Sequence, residues 1–202
     1  MDFTQQRTVQ IVAILLLLAA ATQALYTGLY IAEVSVPREI LWGGEGLLFV
    51  ILAAFAGSAL ATTKRYSLGF SAIAFAAVLN VVQVGIGLTQ FGPFREASGN
   101  LEALEPVAAS VVALSFFIYN AAKILLGLAA LVFGLGCLSR GGKIIGPLTV
   151  LVGVIAMITN TFVMSYGLSM SITGGGIMPS GASGVLATIL LGICVLGLSK
   201  DD

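Results

Sequence analysis

Polar and apolar positions divide the chain into six long apolar runs, at 8–32, 39–62, 67–91, 106–138, 144–167 and 181–198. Each is long enough for the about 17–25 residues that a helix needs to cross a bilayer. The breaks between them carry turn and interface residues: Pro37 with Arg38, Lys64 with Arg65, Gly92 with Pro93, and Arg140 through Lys143. The fifth connection, 169–180, is a stretch rich in Gly, Ser and Met without a charge. The pattern predicts an all-α fold, a polytopic membrane protein built as a bundle of six transmembrane helices. A single transmembrane domain is expected over 1–202. The start of the chain resembles a secretory leader, with Arg7 ahead of an apolar run and small residues at Ala21 and Ala24. That run continues to Ala32, long enough to span, so a retained first helix is expected.

Composition supports this reading. The chain is 58% hydrophobic and 9% charged, whereas a soluble domain carries about a quarter charged residues. The net charge is zero and basic residues never cluster beyond two, so neither nucleic-acid binding nor a polybasic lipid-binding tail is expected. The charges report topology instead. Arg7, Lys64, Arg65, Arg140, Lys143 and Lys200 fall on one side of a six-span arrangement, and Arg38 and Arg95 on the other. The positive-inside rule then places both termini in the cytoplasm, and the compact loops point to a prokaryotic inner membrane. The third loop, 92–105, is expected to be an acidic external cap.

Several chemistries are disfavoured. There is no histidine, which removes imidazole-ligated haem, His-based metal sites and a histidine general base. Cys137 and Cys194 lie in apolar sequence near the same side and are expected to be free thiols; no metal site is expected. No phosphate loop, nucleophilic triad or paired catalytic carboxylate is present. The expectation is a non-enzyme with no cofactor.

Lys123 interrupts this pattern. It sits near the centre of the fourth run, far from any other Lys or Arg, and a charge at that depth must be hydrated or paired. Apart from Glu39 at the very start of the second run, Glu45 is the only carboxylate within the apolar spans, about two turns inside the second, and is its natural partner. The offset in depth is about 10 Å by helical rise, so a direct pair, a water or a bound anion would each complete the contact. Asn80 falls at mid-depth in the third run with Gln83 a turn outward; Tyr119 and Asn120 lie a turn outward of Lys123. Gln23, Tyr26 and Asn160 lie in the outer halves of the first and fifth runs. Polar groups that served only to join helices should scatter over both leaflets, and these gather from the midplane outward. The expected ligand-binding set is therefore Lys123, Asn120, Tyr119, Asn80, Gln83, Glu45, Asn160, Gln23 and Tyr26, around an outward-facing cavity. Tyr26, Tyr30, Trp42 and Tyr166 also suit an external aromatic belt.

Small residues at Ala53, Gly57 and Ala61, and at Gly127, Gly134 and Gly136, predict close helix packing at the bundle centre or at a contact with another chain. Membrane lipid and a homo-oligomer or larger complex are the expected partners. Three functions fit: binding or transport of a small polar or anionic solute around Lys123, a non-catalytic subunit of a membrane complex, or an oligomeric ion channel using Glu45.

Overall fold

A computed structural model describes residues 4–34, 37–167 and 179–199, with backbone alone for Tyr30, Arg38 and Pro179. Regular structure among them is entirely helical: α1 Gln5–Ile31, α2 Arg38–Thr62, α3 Ser67–Asn100, α4 Glu105–Ser139, α5 Ile145–Tyr166 and α6 Pro179–Leu198, with one 3-10 turn at Glu102–Leu104. All six helices are long and apolar enough to cross a membrane. The connection expected over 169–180 lies mostly outside the described residues, as does Lys200.

Consecutive helices run antiparallel. Gln23 meets Glu45, Gln83 meets Ser115, and Asn160 meets Ser180. These contacts bring the C-terminal ends of α1, α3 and α5 and the N-terminal ends of α2, α4 and α6 together at one end of the bundle, here called the distal end, opposite Gln5 and Leu198. Around the bundle α1 packs on α2, α2 on α3, α3 on α4, α4 on α6 and α6 on α1, while α5 packs on α4 and α6. The core is filled by Leu16, Phe49, Leu52, Phe70, Ile73, Leu126, Phe133 and Leu191. Large apolar side chains such as Ile40, Leu47, Phe75, Leu151 and Phe162 face outward, as lipid contact would require.

Between helices in lipid the attraction comes from close packing rather than from the hydrophobic effect. The α4–α5 contact shows how the sequence meets that demand. A Cβ on Gly127 would sit 2.8 Å from the carbonyl oxygen of Gly153, and one on Gly134 would sit 3.1 Å from that of Gly146. The two backbones touch through paired glycines. Gly136 instead makes room for the ring of Tyr66, which packs on Phe133 with centroids 5.2 Å apart.

One expectation is corrected and another narrowed. The third helix does not stop before Gly92 and Pro93; α3 runs through Pro93 to Asn100. Proline removes one helical hydrogen bond, the one that would reach Thr89, and Thr89 is exposed, so water can satisfy the freed carbonyl. The expected loop 92–105 is consequently mostly helix, with Arg95 and Glu96 exposed on it. Of the two placements expected for Ala53, Gly57 and Ala61, the bundle centre holds only for Ala53, which packs partly buried on the core; Ala61 is exposed and a Cβ on Gly57 would meet nothing within 4 Å, which leaves these two for the other placement, a contact with another chain. Ala56 and Ala59 are the small residues of α2 that face the core.

Candidate functional site

Lys123 is completely buried, at 0% exposure, despite its position in the middle of α4. Its aliphatic stem lies against Gly184 of α6, where a Cβ would come within 2.8 Å of the lysine Cδ. Any larger residue there would collide with the stem. Its ammonium donates to Oε1 of Gln23 on α1 and stands 5.1 Å from the ring centroid of Tyr119, one helical turn earlier on α4. An aromatic face at that distance contributes a cation–π attraction. Gln23 in turn donates from Nε2 to Oε1 of Glu45 on α2, at 2.7 Å.

The lysine and the carboxylate are therefore linked through an amide. Gln23 supplies an acceptor to the cation and a donor to the anion, each group receiving the partner its charge requires. One side chain from each of α1, α2 and α4 enters the chain, with α6 shaped to receive the lysine stem. Burial falls along it: Lys123 is sealed, Gln23 is buried, and Glu45, toward the distal end, is half-buried. Hydrogen bonds to ionised groups are the stronger kind, and desolvating the two charges offsets much of that gain.

The remaining residues of the expected set divide. Gln83 donates to Ser115 of α4 at 3.3 Å, and Tyr26 packs edge-on to Trp42 at 5.7 Å. The Tyr26 and Trp42 rings join Phe91 in an aromatic cluster at the distal end, with Gly87 giving Trp42 room. Asn80, Asn120 and Asn160 each donate to the carbonyl four residues earlier on their own helix, at 2.8, 2.6 and 2.7 Å. Asn160 also donates to the Ser180 carbonyl at 3.2 Å. The Oδ1 atoms of all three are buried and have no hydrogen-bond partner.

Gly184, Ser115 and Ser180 were not in the expected set. No rule of spacing singles out one glycine or serine in an apolar run; their importance comes from what stands opposite. Gly184→Ala should press on a lysine stem held by its bond to Gln23. The expected cost is about 1 kcal/mol, within the range for overpacking, read as a lower Tm in detergent. An unchanged Tm would mean that the stem has room to shift.

Comparison of the chain with protein-family models, curated proteins and solved structures gives no match.

Proposed function

We propose that this is a multi-pass membrane protein, with both termini cytoplasmic, that binds or transports a small polar solute entering the bundle from the distal, external end. The supporting observation is the graded polar chain from half-buried Glu45 through Gln23 to fully buried Lys123. A bilayer protein that needed only packing would be cheaper to build without a central lysine. Buried acceptors without a donor at Asn80, Asn120 and Asn160 support the reading, because buried polar atoms in native proteins are generally hydrogen-bonded and a bound molecule would supply the donors.

A second reading, a non-catalytic subunit of a larger membrane assembly, draws on the complete burial of Lys123 and its fit against Gly184. Here the chain from Lys123 to Glu45 would only hold α1, α2 and α4 in register.

The two readings separate in one experiment. The wild type and Lys123→Met are purified, and their Tm values are followed against a panel of amino acids, amides, polyols and small organic anions. A ligand raises stability only where it binds the folded state, by about 2.7 kcal/mol at a hundredfold excess over Kd. A solute that stabilises the wild type and leaves Lys123→Met unmoved is the expected result. A wild type indifferent to the whole panel would sink the solute reading in favour of the structural one.

A further inference from the structure

The α4–α5 interface has a register that continues beyond its glycines. Gly134 faces Gly146 and, seven residues along each helix, Gly127 faces Gly153. A further seven residues toward the distal end bring α4 to Asn120 and α5 to Asn160. Seven residues is about two helical turns, so both side chains return to the same face and the same height. Each is buried, at 2% and 0% exposure. Each has used its amide N–H to reach its own helix, and Asn160 also reaches the Ser180 carbonyl of α6. Both asparagines keep a buried side-chain carbonyl oxygen without a donor, on faces of α4 and α5 that the glycine register turns toward each other.

We infer that Asn120 and Asn160 form a site for a small uncharged ligand that presents N–H or O–H donors, an amide or an alcohol rather than an anion. The inference rests on the solute-binding reading above and narrows it. Chemistry decides the class. An anion brings only acceptors, and these oxygens are acceptors too, so the contact would be repulsive. A cation would meet Lys123, one turn from Asn120 on α4. The lysine needs no anion of its own, because Gln23 already couples it to Glu45. A neutral donor satisfies the orphaned oxygens without disturbing that balance.

Acetamide and N,N-dimethylacetamide test this, since they share a carbonyl and differ in N–H donors, with sodium acetate as the anionic counterpart. Acetamide at tens of millimolar should raise the wild-type Tm by about 2 °C or more, with dimethylacetamide and acetate giving no rise. Asn120→Leu and Asn160→Leu should each lose the acetamide response. The ligand-free Tm of Asn120→Leu should hold or rise, because leucine removes an orphaned acceptor and favours the helix more than asparagine does; Asn160→Leu also loses its bond to the Ser180 carbonyl, so its ligand-free Tm should fall slightly. If a leucine variant does not fold, wild-type protein carrying a 13C label in its asparagine carboxamides gives a second readout. Its side-chain carbonyl band should move to lower frequency with acetamide and stay fixed with dimethylacetamide.

Stabilisation by acetate and not by acetamide would overturn the neutral-donor class while leaving solute binding in place. An acetamide response that survives in both leucine variants would remove the site from this pair. A response lost in the leucine variants and kept in Lys123→Met would support the asparagine site and detach it from the lysine. No response to any probe, with an unmoved carbonyl band, would overturn the inference; whether solute binding falls with it is decided separately by the wider panel.

Discussion

Lys123→Met is expected to lower stability by about 3 kcal/mol, the lower end of the range for breaking a buried ion pair, and Tm by about 6–12 °C. The methionine keeps the volume of the stem against Gly184 and removes the donor to Gln23. Gln23 then has an unsatisfied Oε1, and Glu45 loses its compensating charge. The loss stays near the lower end because Glu45 is half-buried and gains protons or water more easily than a sealed carboxylate. Glu45→Gln in the Lys123→Met background should recover most of it. Residues in one hydrogen-bonded network give non-additive effects of about 0.5–3 kcal/mol in a double-mutant cycle. Additive losses would show that Gln23 does not connect the two charges.

Gly153→Val should be comparably severe for a different reason. Its Cβ would lie 2.8 Å from the Gly127 carbonyl oxygen and 3.1 Å from the Leu131 nitrogen, both backbone atoms of α4. Neither can move aside alone, so α4 and α5 must separate along their whole contact. About 2–3 kcal/mol is expected, the upper part of the overpacking range, measured by denaturant or thermal unfolding in detergent. Gly57→Val is the control: with nothing within 4 Å of its Cβ, the effect on the isolated chain should stay within about 0.5 kcal/mol. Equal losses at both positions would mean that valine acts through the helix backbone and not through the α4–α5 contact.

These expectations show where the sequence was informative. The six helices were legible because a bilayer-spanning length shapes each apolar run, and the observed ends of α2, α4, α5 and α6 lie within two residues of those expected, with α1 starting three residues early. The exception was α3, where Pro93 was read as a stop although the helix continues past it. Proline can kink a helix without ending it, and at Pro93 the carbonyl it frees belongs to exposed Thr89. Within the site, Lys123, Gln23 and Glu45 were each identifiable as polar residues in apolar runs. Their order was not. Depth along each helix follows from counting residues, whereas the rotation and lateral neighbour of each helix depend on packing among all six. Gln83 illustrates the gap: it lies near the expected height but faces Ser115. The asparagines were found for their polarity, and the orphaned state of their oxygens emerged only once the amide N–H groups were seen to bond within their own helices.

The amide at the centre of the site also determines its electrical behaviour. Lys123 donates to the oxygen of Gln23, and Gln23 donates from its nitrogen to Glu45. Carboxyl and water groups conduct by accepting a hydrogen at one oxygen and releasing another, whereas a carboxamide would have to pass through its high-energy imidic acid form to do so. Gln23 therefore couples the two charges electrostatically while acting as an insulator between them. A helical bundle wired in this way holds a cation and an anion in its interior while Gln23 passes no proton between them.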